Sequence, residues 1–337
     1  MTVATGKSVR RGIALTPMET RRDVIVRMAI LADELGYELF SVPEGWGFDS
    51  TLILAEIAIK TQRIRPMSGI LSIWGRTPGT IAMNAATLHE MSDDRYVLGL
   101  GASTQALVEG YHGIGFKRPT RRLRNTVTEV RRLLSGERAD IDDDLDSRPL
   151  RMGQKPRPDI PIVVAAMGRQ SIRVAAEEAD GWFPFYITRD RIARRRAEID
   201  RLRDRAGLET SDYLTLSGPT AFVSPDAESA RARVAANVAW YVTAMGDVYA
   251  NSLRRDGFES EVEATIAANP KPSPQSAVIP DSAERLLQQL TVYGPPDRIR
   301  TDLEAWDSEV DVTMLSIIPN SPWEDIEAVI RAGAPPA

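Results

Sequence analysis

Short apolar or β-branched runs alternate along the chain with longer segments of helical period. Residues 11–16 (RGIALT) read as a strand, and the next segment sets Val24, Met28, Leu31 and Leu35 on one helical face before Gly36 stops it. The same rhythm gives a strand at 37–42 (YELFSV) with a helix at 50–61, then a strand through IRPMSGILSI with a helix over 77–92 whose Pro78 suits a first helical turn. A strand at 95–103 (RYVLGLGAS) is followed by a helix starting near Pro119. The second half continues with strands at 160–167 (IPIVVAAM), in GWFPFYI, at 213–224 (YLTLSGPTAFVS) and at 311–319 (DVTMLSIIP), with helices over 170–179 and 189–206. These roughly eight β/α units are the number needed to close a parallel barrel, so the expected fold is an α/β (β/α)8 barrel spanning residues 1–337 as one domain. Two interruptions break the rhythm: an acidic, proline-spaced excursion at 137–159 and a helical insertion at 227–290.

An open doubly wound sheet also alternates strand and helix, but it places a Gly-x-Gly-x-x-Gly turn after its first strand. Here only GLGAST after the fourth strand carries a partial glycine pattern. Composition narrows the chemistry further. The 337 residues are 43% hydrophobic and 26% charged with a formal charge of -5, which suggests neither nucleic acid nor an anionic membrane as partner. There is no cysteine and there are two histidines, so thiolate nucleophiles, iron–sulfur ligation and dedicated metal sites are poorly supplied. No apolar run approaches the ~18–20 residues of a membrane span and no signal-peptide core precedes residue 17, so a cytoplasmic protein is expected.

In a parallel barrel the strand C-termini converge on one face. Six of those ends read PEGWG, SGILSIWG, GLGAST, AAMGRQS, FPFY and SGPT: glycine-rich, aromatic and sparsely charged. Such a set suits a flat conjugated cofactor lying on backbone atoms better than a hydrolytic triad. In AAMGRQS, Gly168 lets the strand turn and the amides of Arg169, Gln170 and Ser171 open a helix, so an anion is favoured there.

With GYELFSVPEGWGFDS, NAATLHEMSDDRYVLGLGAS, VEGYHG, AAMGRQSIRVAAEEADGWFP and YGPPDRIRTDLEAW in this order, the chain resembles the bacterial-luciferase-like flavin and deazaflavin oxidoreductases. Within this luciferase-like monooxygenase superfamily it resembles the branch using coenzyme F420, and the methylenetetrahydromethanopterin reductase-like proteins in particular. The resemblance implies F420 at the C-terminal face of the barrel, with FMN as the alternative. It implies a bulge in the third strand with a non-prolyl cis peptide, placed at Ser68–Gly69, and ring contacts from Ser68, Gly69 and Ile70. The opposite wall would come from Gly99, Gly101, Ala102, Ser103 and Thr104, and the phosphate corner from Ala166, Gly168, Arg169 and Gln170. Five basic residues after Phe116 would attract the oligoglutamate tail of F420.

The resemblance also implies an acid near the reactive edge of the ring, at Glu44. Relatives acting on alcohols place a histidine after that acid, whereas this chain has Gly45. Trp46 and Trp74 would wall the substrate space. His89 reads as a helix-face residue, while His112 and Tyr186 join Glu44 as candidates for handling a proton. The expected activity is hydride transfer between F420 and a small organic substrate, preferably reducing an activated C=C or C=N bond. The rivals are an FMN-dependent monooxygenase and a non-catalytic ligand-binding barrel. A homodimer is the expected assembly.

Overall fold

The computed structural model describes residues 8–141 and 145–336. Its first half runs β1 (Arg11–Ala14), α1 (Arg22–Glu34), β2 (Leu39–Val42), α2 (Ser50–Lys60), β3 (Arg65–Ser68), β4 (Leu71–Ser72), α3 (Pro78–Met91), β5 (Leu98–Gly101), α4 (Gln105–Gly110) and α5 (Pro119–Leu134). The second half continues with β6 (Ile162–Ala165), α6 (Arg169–Glu178), β7 (Gly181–Trp182), α7 (Arg189–Ala206), β8 (Leu214–Ser217), β9 (Thr220–Val223), α8 (Ala227–Ala244), α9 (Asp247–Arg255), α10 (Glu259–Ala268), α11 (Glu284–Leu290), β10 (Thr291–Gly294), α12 (Pro296–Asp307), β11 (Val312–Ile317) and α13 (Trp323–Ala332). Local chemistry sets many of these ends. Asp49 caps α2 by accepting from the Thr51 amide, and Thr77 caps α3 ahead of Pro78. Gly207, at φ 69°, stops α7 in the left-handed region.

All the strand ladders are parallel, in the order β3, β2, β1, β11, β8, β7, β6, β5, β4. Two of the expected strands are each broken in two. The third is divided into β3 and β4 by a bulge, and the seventh into β8 and β9 around Gly218–Pro219, with β11 pairing first with one piece and then with the other. A bridge between Met67 and Val97 joins β3 to the strand beside it and closes the (β/α)8 barrel. The bulge carries a non-prolyl cis peptide at Gly69–Ile70, one residue beyond the expected Ser68–Gly69 bond. Ser68 is still held in the ladder: its amide donates to the Val97 carbonyl at 3.3 Å, and its side chain is bonded to Gly99. The chain leaves the strand only after it.

One strand has no counterpart in the sequence pattern. The four residues of β10 pair only with β9, outside the barrel ring, after a leucine-rich helical stretch that masks them. The insertion at 227–290 forms α8 to α11, and the described residues of 137–159 form neither helix nor strand.

The core is three clusters. Alternate strand residues such as Leu39, Met67, Val163, Leu216 and Met314 fill the barrel lumen, as the period of two requires. The opposite faces, including Ile13, Phe40, Leu98 and Leu315, pack under the helices. A third cluster joins α8 to α11 with Tyr186, Phe222 and Ile318, which seats the insertion on the C-terminal end of the barrel. Among the described residues no helix is long and apolar enough to cross a membrane.

Candidate active site

A cavity of about 290 Å³ opens where the lumen meets the strand C-termini. The end of β1, the Pro43–Trp46 loop, the Gly69–Ile70 bulge, residues 101–104 and the Met167–Gly168 turn surround it. Phe183 and Phe185 continue the wall, and Tyr241, Met245, Val248 and Tyr249 of the α8–α9 hairpin cover it. The lining is predominantly apolar, and Glu44 is its one charged side chain.

Glu44 is anchored rather than free. Its carboxylate is ion-paired with Arg76 and accepts from the Ser72 amide at 2.9 Å, and its own amide donates to the Ile70 carbonyl at 3.1 Å. Arg76 also bonds Asp49 at 2.8 Å, so a single guanidinium ties the β2 loop, the α2 cap and the strand after the bulge together. Burial disfavours the Arg76 cation, but Glu44 and Asp49 outweigh it and hold its pKa above the ordinary value. Burial likewise raises the Asp49 carboxyl, and Thr51 and Arg76 more than reverse that.

Of the residues expected to contact a cofactor, the structure brings Gly69, Ile70, Gly101, Ala102, Ser103, Thr104 and Gly168 to this cavity. Ser68 is not among its walls; its hydroxyl donates to the Gly99 carbonyl and accepts from the Gly99 amide and the Tyr96 hydroxyl. Gly99 is explained by the protein itself, since a Cβ there would stand 1.9 Å from the Ser68 carbonyl oxygen. Ala166 is buried behind the wall and accepts from the Trp182 indole at 2.7 Å. Arg169 and Gln170 are exposed, and Arg169 faces a groove between α6 and α7 instead.

The expected substrate walls divide. Trp46 lines the cavity and is 46% exposed. Trp74 does not line it: its indole donates to the Ala102 carbonyl at 2.8 Å while Phe116 and Arg122 enclose the ring. Nor does the structure bring His112 or Tyr186 to the cavity. His112 packs against Gly75 and Tyr111. The Tyr186 hydroxyl donates to Asn237 at 2.9 Å, and burial pushes its pKa far up. His89 is buried in α3 rather than lying on an open face, within 3.1 Å of Asp159.

Residues overlooked in the sequence carry much of this geometry. Thr16 and Pro17 follow β1, whose end was not among the six stretches compared. Arg76 was a lone charge between an apolar strand and a helix cap. Tyr241, Met245, Val248 and Tyr249 are split between the end of α8 and the start of α9 by the Met245–Gly246 break, so no single helical period marked them as one face.

The fit of a phosphorylated cofactor rests on Gly168. A Cβ there would find only Ser171 Oγ, at 3.7 Å, and φ is −95°, so no packing or backbone requirement of the protein calls for glycine. The Gly168 amide donates to Ser171 Oγ at 3.2 Å, but no side chain caps the amides of Arg169, Gln170 and Ser171 that follow it. Open space in front of uncapped amides at a cavity wall is what a phosphate requires. A separate groove of about 720 Å³ runs along the start of α5, lined by Lys117, Arg118, Arg121, Arg122 and Arg124. Arg122 and Arg124 are engaged with Ile73 and with Glu177 and Glu178, whereas Lys117, Arg118 and Arg121 form no ion pair among the described residues.

A family model described as luciferase-like monooxygenase matches residues 3–310. A Mycobacterium tuberculosis protein whose name proposes a coenzyme F420-dependent oxidoreductase is 27% identical over 312 residues, covering 86% of this chain and 89% of that one. The coenzyme F420-dependent tetrahydromethanopterin reductase of Methanopyrus kandleri superposes with a TM-score of 0.80 at 20% identity, covering 96% of this chain and 98% of its own. A type II Baeyer–Villiger monooxygenase of Pseudomonas putida, solved with FMN, gives 0.68 at 15% identity over 97% and 98%.

Proposed function

The chain belongs to the luciferase-like monooxygenase family, and from that premise we propose that it is an F420-dependent oxidoreductase acting on a small organic substrate, with reduction of an activated C=C or C=N bond as the preferred reaction. The observation that carries this reading is the uncapped, uncrowded Gly168 corner beside an apolar cavity. The names of the M. tuberculosis and M. kandleri proteins support the choice of F420. The FMN-bound relative supports FMN as the alternative.

When bound, the deazaflavin supplies a hydride donor or acceptor. The protein's part is to hold and exclude. The α6 amides would hold the phosphate, and the Gly69–Ile70 bulge and residues 101–104 would hold the ring. Lys117, Arg118 and Arg121 attract the anionic tail. Phe183, Phe185 and the α8–α9 hairpin keep water from the substrate. Glu44 keeps the loop and bulge in register through Arg76 rather than exchanging a proton. In the reduction, carbon would receive the hydride, and the other atom of the double bond would take its proton from solvent, since no side chain of the cavity is assigned as donor.

Reduced F420 mixed with the protein and a cyclic enone or imine tests the reading. Acceptor-dependent oxidation of the deazaflavin without oxygen is the expected result. Turnover only with FMN and oxygen would replace it with the monooxygenase.

A further inference from the structure

Tyr186, Tyr241 and Tyr249 cluster around Phe185, and their three hydroxyls have different surroundings. The Tyr186 hydroxyl donates to Asn237. That of Tyr241 is sealed off and paired with the Thr16 hydroxyl, in a turn closed by the Glu19 amide on the Thr16 carbonyl at 3.1 Å. The hydroxyl of Tyr249, near the start of α9, is neither bonded nor sealed. Tyr249 is half-buried, and burial alone pushes its phenol up to about 12. A phenol facing bulk water would keep the ordinary value of about 10. An open hydroxyl this far removed from water therefore faces an internal space, and the space that Tyr249 lines is the cavity.

The group is also held in place. Its ring lies 5.6 Å from that of Phe185 and 5.7 Å from those of Tyr186 and Tyr241, so packing fixes where the oxygen stands. A donor locked by packing loses little freedom when it binds. Among the described residues covering the cavity, Tyr249 carries the one uncommitted polar group, since Phe183, Phe185, Met245 and Val248 offer none and Tyr241 is paired. On the remaining walls Ser171 bonds Gly168, Thr104 caps α4, and Glu44 is neutralised by Arg76. The cavity thus has no free counter-ion for a charged substrate.

We propose that Tyr249 orients the substrate, donating a hydrogen bond from the roof to an acceptor oxygen on an otherwise apolar, uncharged molecule. The proton stays on the phenol, and the bond positions and polarises the oxygen. For a C=C reduction the substrate class is then an apolar carbonyl compound whose double bond is conjugated to that oxygen. This rests on reading the cavity as the place where an oxidoreductase holds its substrate.

The test uses two probes of nearly equal shape, acetophenone and α-methylstyrene, which differ by C=O against C=CH2. Calorimetric titration of the wild-type protein should show the ketone binding about tenfold more tightly, the worth of one well-placed hydrogen bond. Tyr249→Phe keeps the ring among its neighbours and should bring the ketone down to the hydrocarbon without weakening the hydrocarbon. Its melting temperature without ligand should be no lower than that of wild type, because no bond within the protein is lost. Equal binding of the two probes to wild type, binding of neither, a preference that survives in the variant, or a destabilised variant would overturn the assignment. F420 titration of the wild-type protein is run alongside. If F420 does not bind while the ketone preference depends on Tyr249, the donor stands and the cofactor reading fails.

Discussion

At the scale of single residues, the decisive finding is that the acid of the PEGWG loop has a partner. Glu44→Gln removes one charge of the pair with Arg76, whose remaining carboxylate partner is the half-exposed Asp49. The loss should be about 1–3 kcal/mol of stability in denaturant unfolding, with F420 binding weakened in parallel. A proton-donating Glu44 would instead leave stability and binding intact and lower turnover about 10²–10⁴-fold. Glu19 gives a pH-dependent counterpart. Burial raises its carboxyl, but bonds from Arg21 and the Asn320 amide more than reverse this and hold its pKa below the ordinary carboxylate value. Such a group contributes fully above the unfolded pKa of about 4.3, and the contribution is lost as pH falls through the lower folded value. Glu19→Gln should therefore be less stable than wild type at neutral pH by about 1–3 kcal/mol, with the gap closing as pH falls below about 4. Equal stability at neutral pH would remove Glu19 from the support of the Thr16 turn.

At the scale of elements, the glycines separate into those the fold uses, such as Gly99, and those with room for a side chain, such as Gly110, Gly153 and Gly168, of which Gly168 alone lines the cavity. Gly99→Ala would put a methyl group against the Ser68 carbonyl at the bulge, so it should lower the melting temperature sharply or block folding. Gly168→Asp has room and an ordinary backbone. Its melting temperature should stay near wild type while F420 affinity falls well beyond twofold, because a carboxylate then faces the phosphate. An affinity within a factor of two would show that the phosphate does not lie at α6. The sequence pattern made the elements legible because period 2 and period 3.6 differ clearly, and α7 matches its expected bounds residue for residue. It did not reveal how Pro43–Trp46, Arg76 and Asp49 interlock, since that ion pair joins residues 32 positions apart. Trp74 misled for a related reason: a strand-end indole reads the same whether it faces a ligand or, as here, a phenyl ring and a guanidinium.

For the whole molecule, alternation along the chain foretold a closed parallel barrel, while the insertion's role as roof became clear only when Tyr241 and Tyr249 were seen over the lumen. We propose that the protein pairs with a second copy through α2 and α3. Leu52 and Ile59, seven residues apart on α2, are 71% and 70% exposed, and Met83 is exposed on the neighbouring α3. Light scattering should give a dimer for wild type and a monomer for L52E/I59E; a wild-type monomer would leave that face without this partner. The central claim is that the cavity is built around a phosphorylated deazaflavin. It is tested most directly by fluorescence titration of one purified sample with F420 and with FMN under the same buffer and salt. The account predicts tighter binding of F420, and FMN binding equally well or better would contradict it.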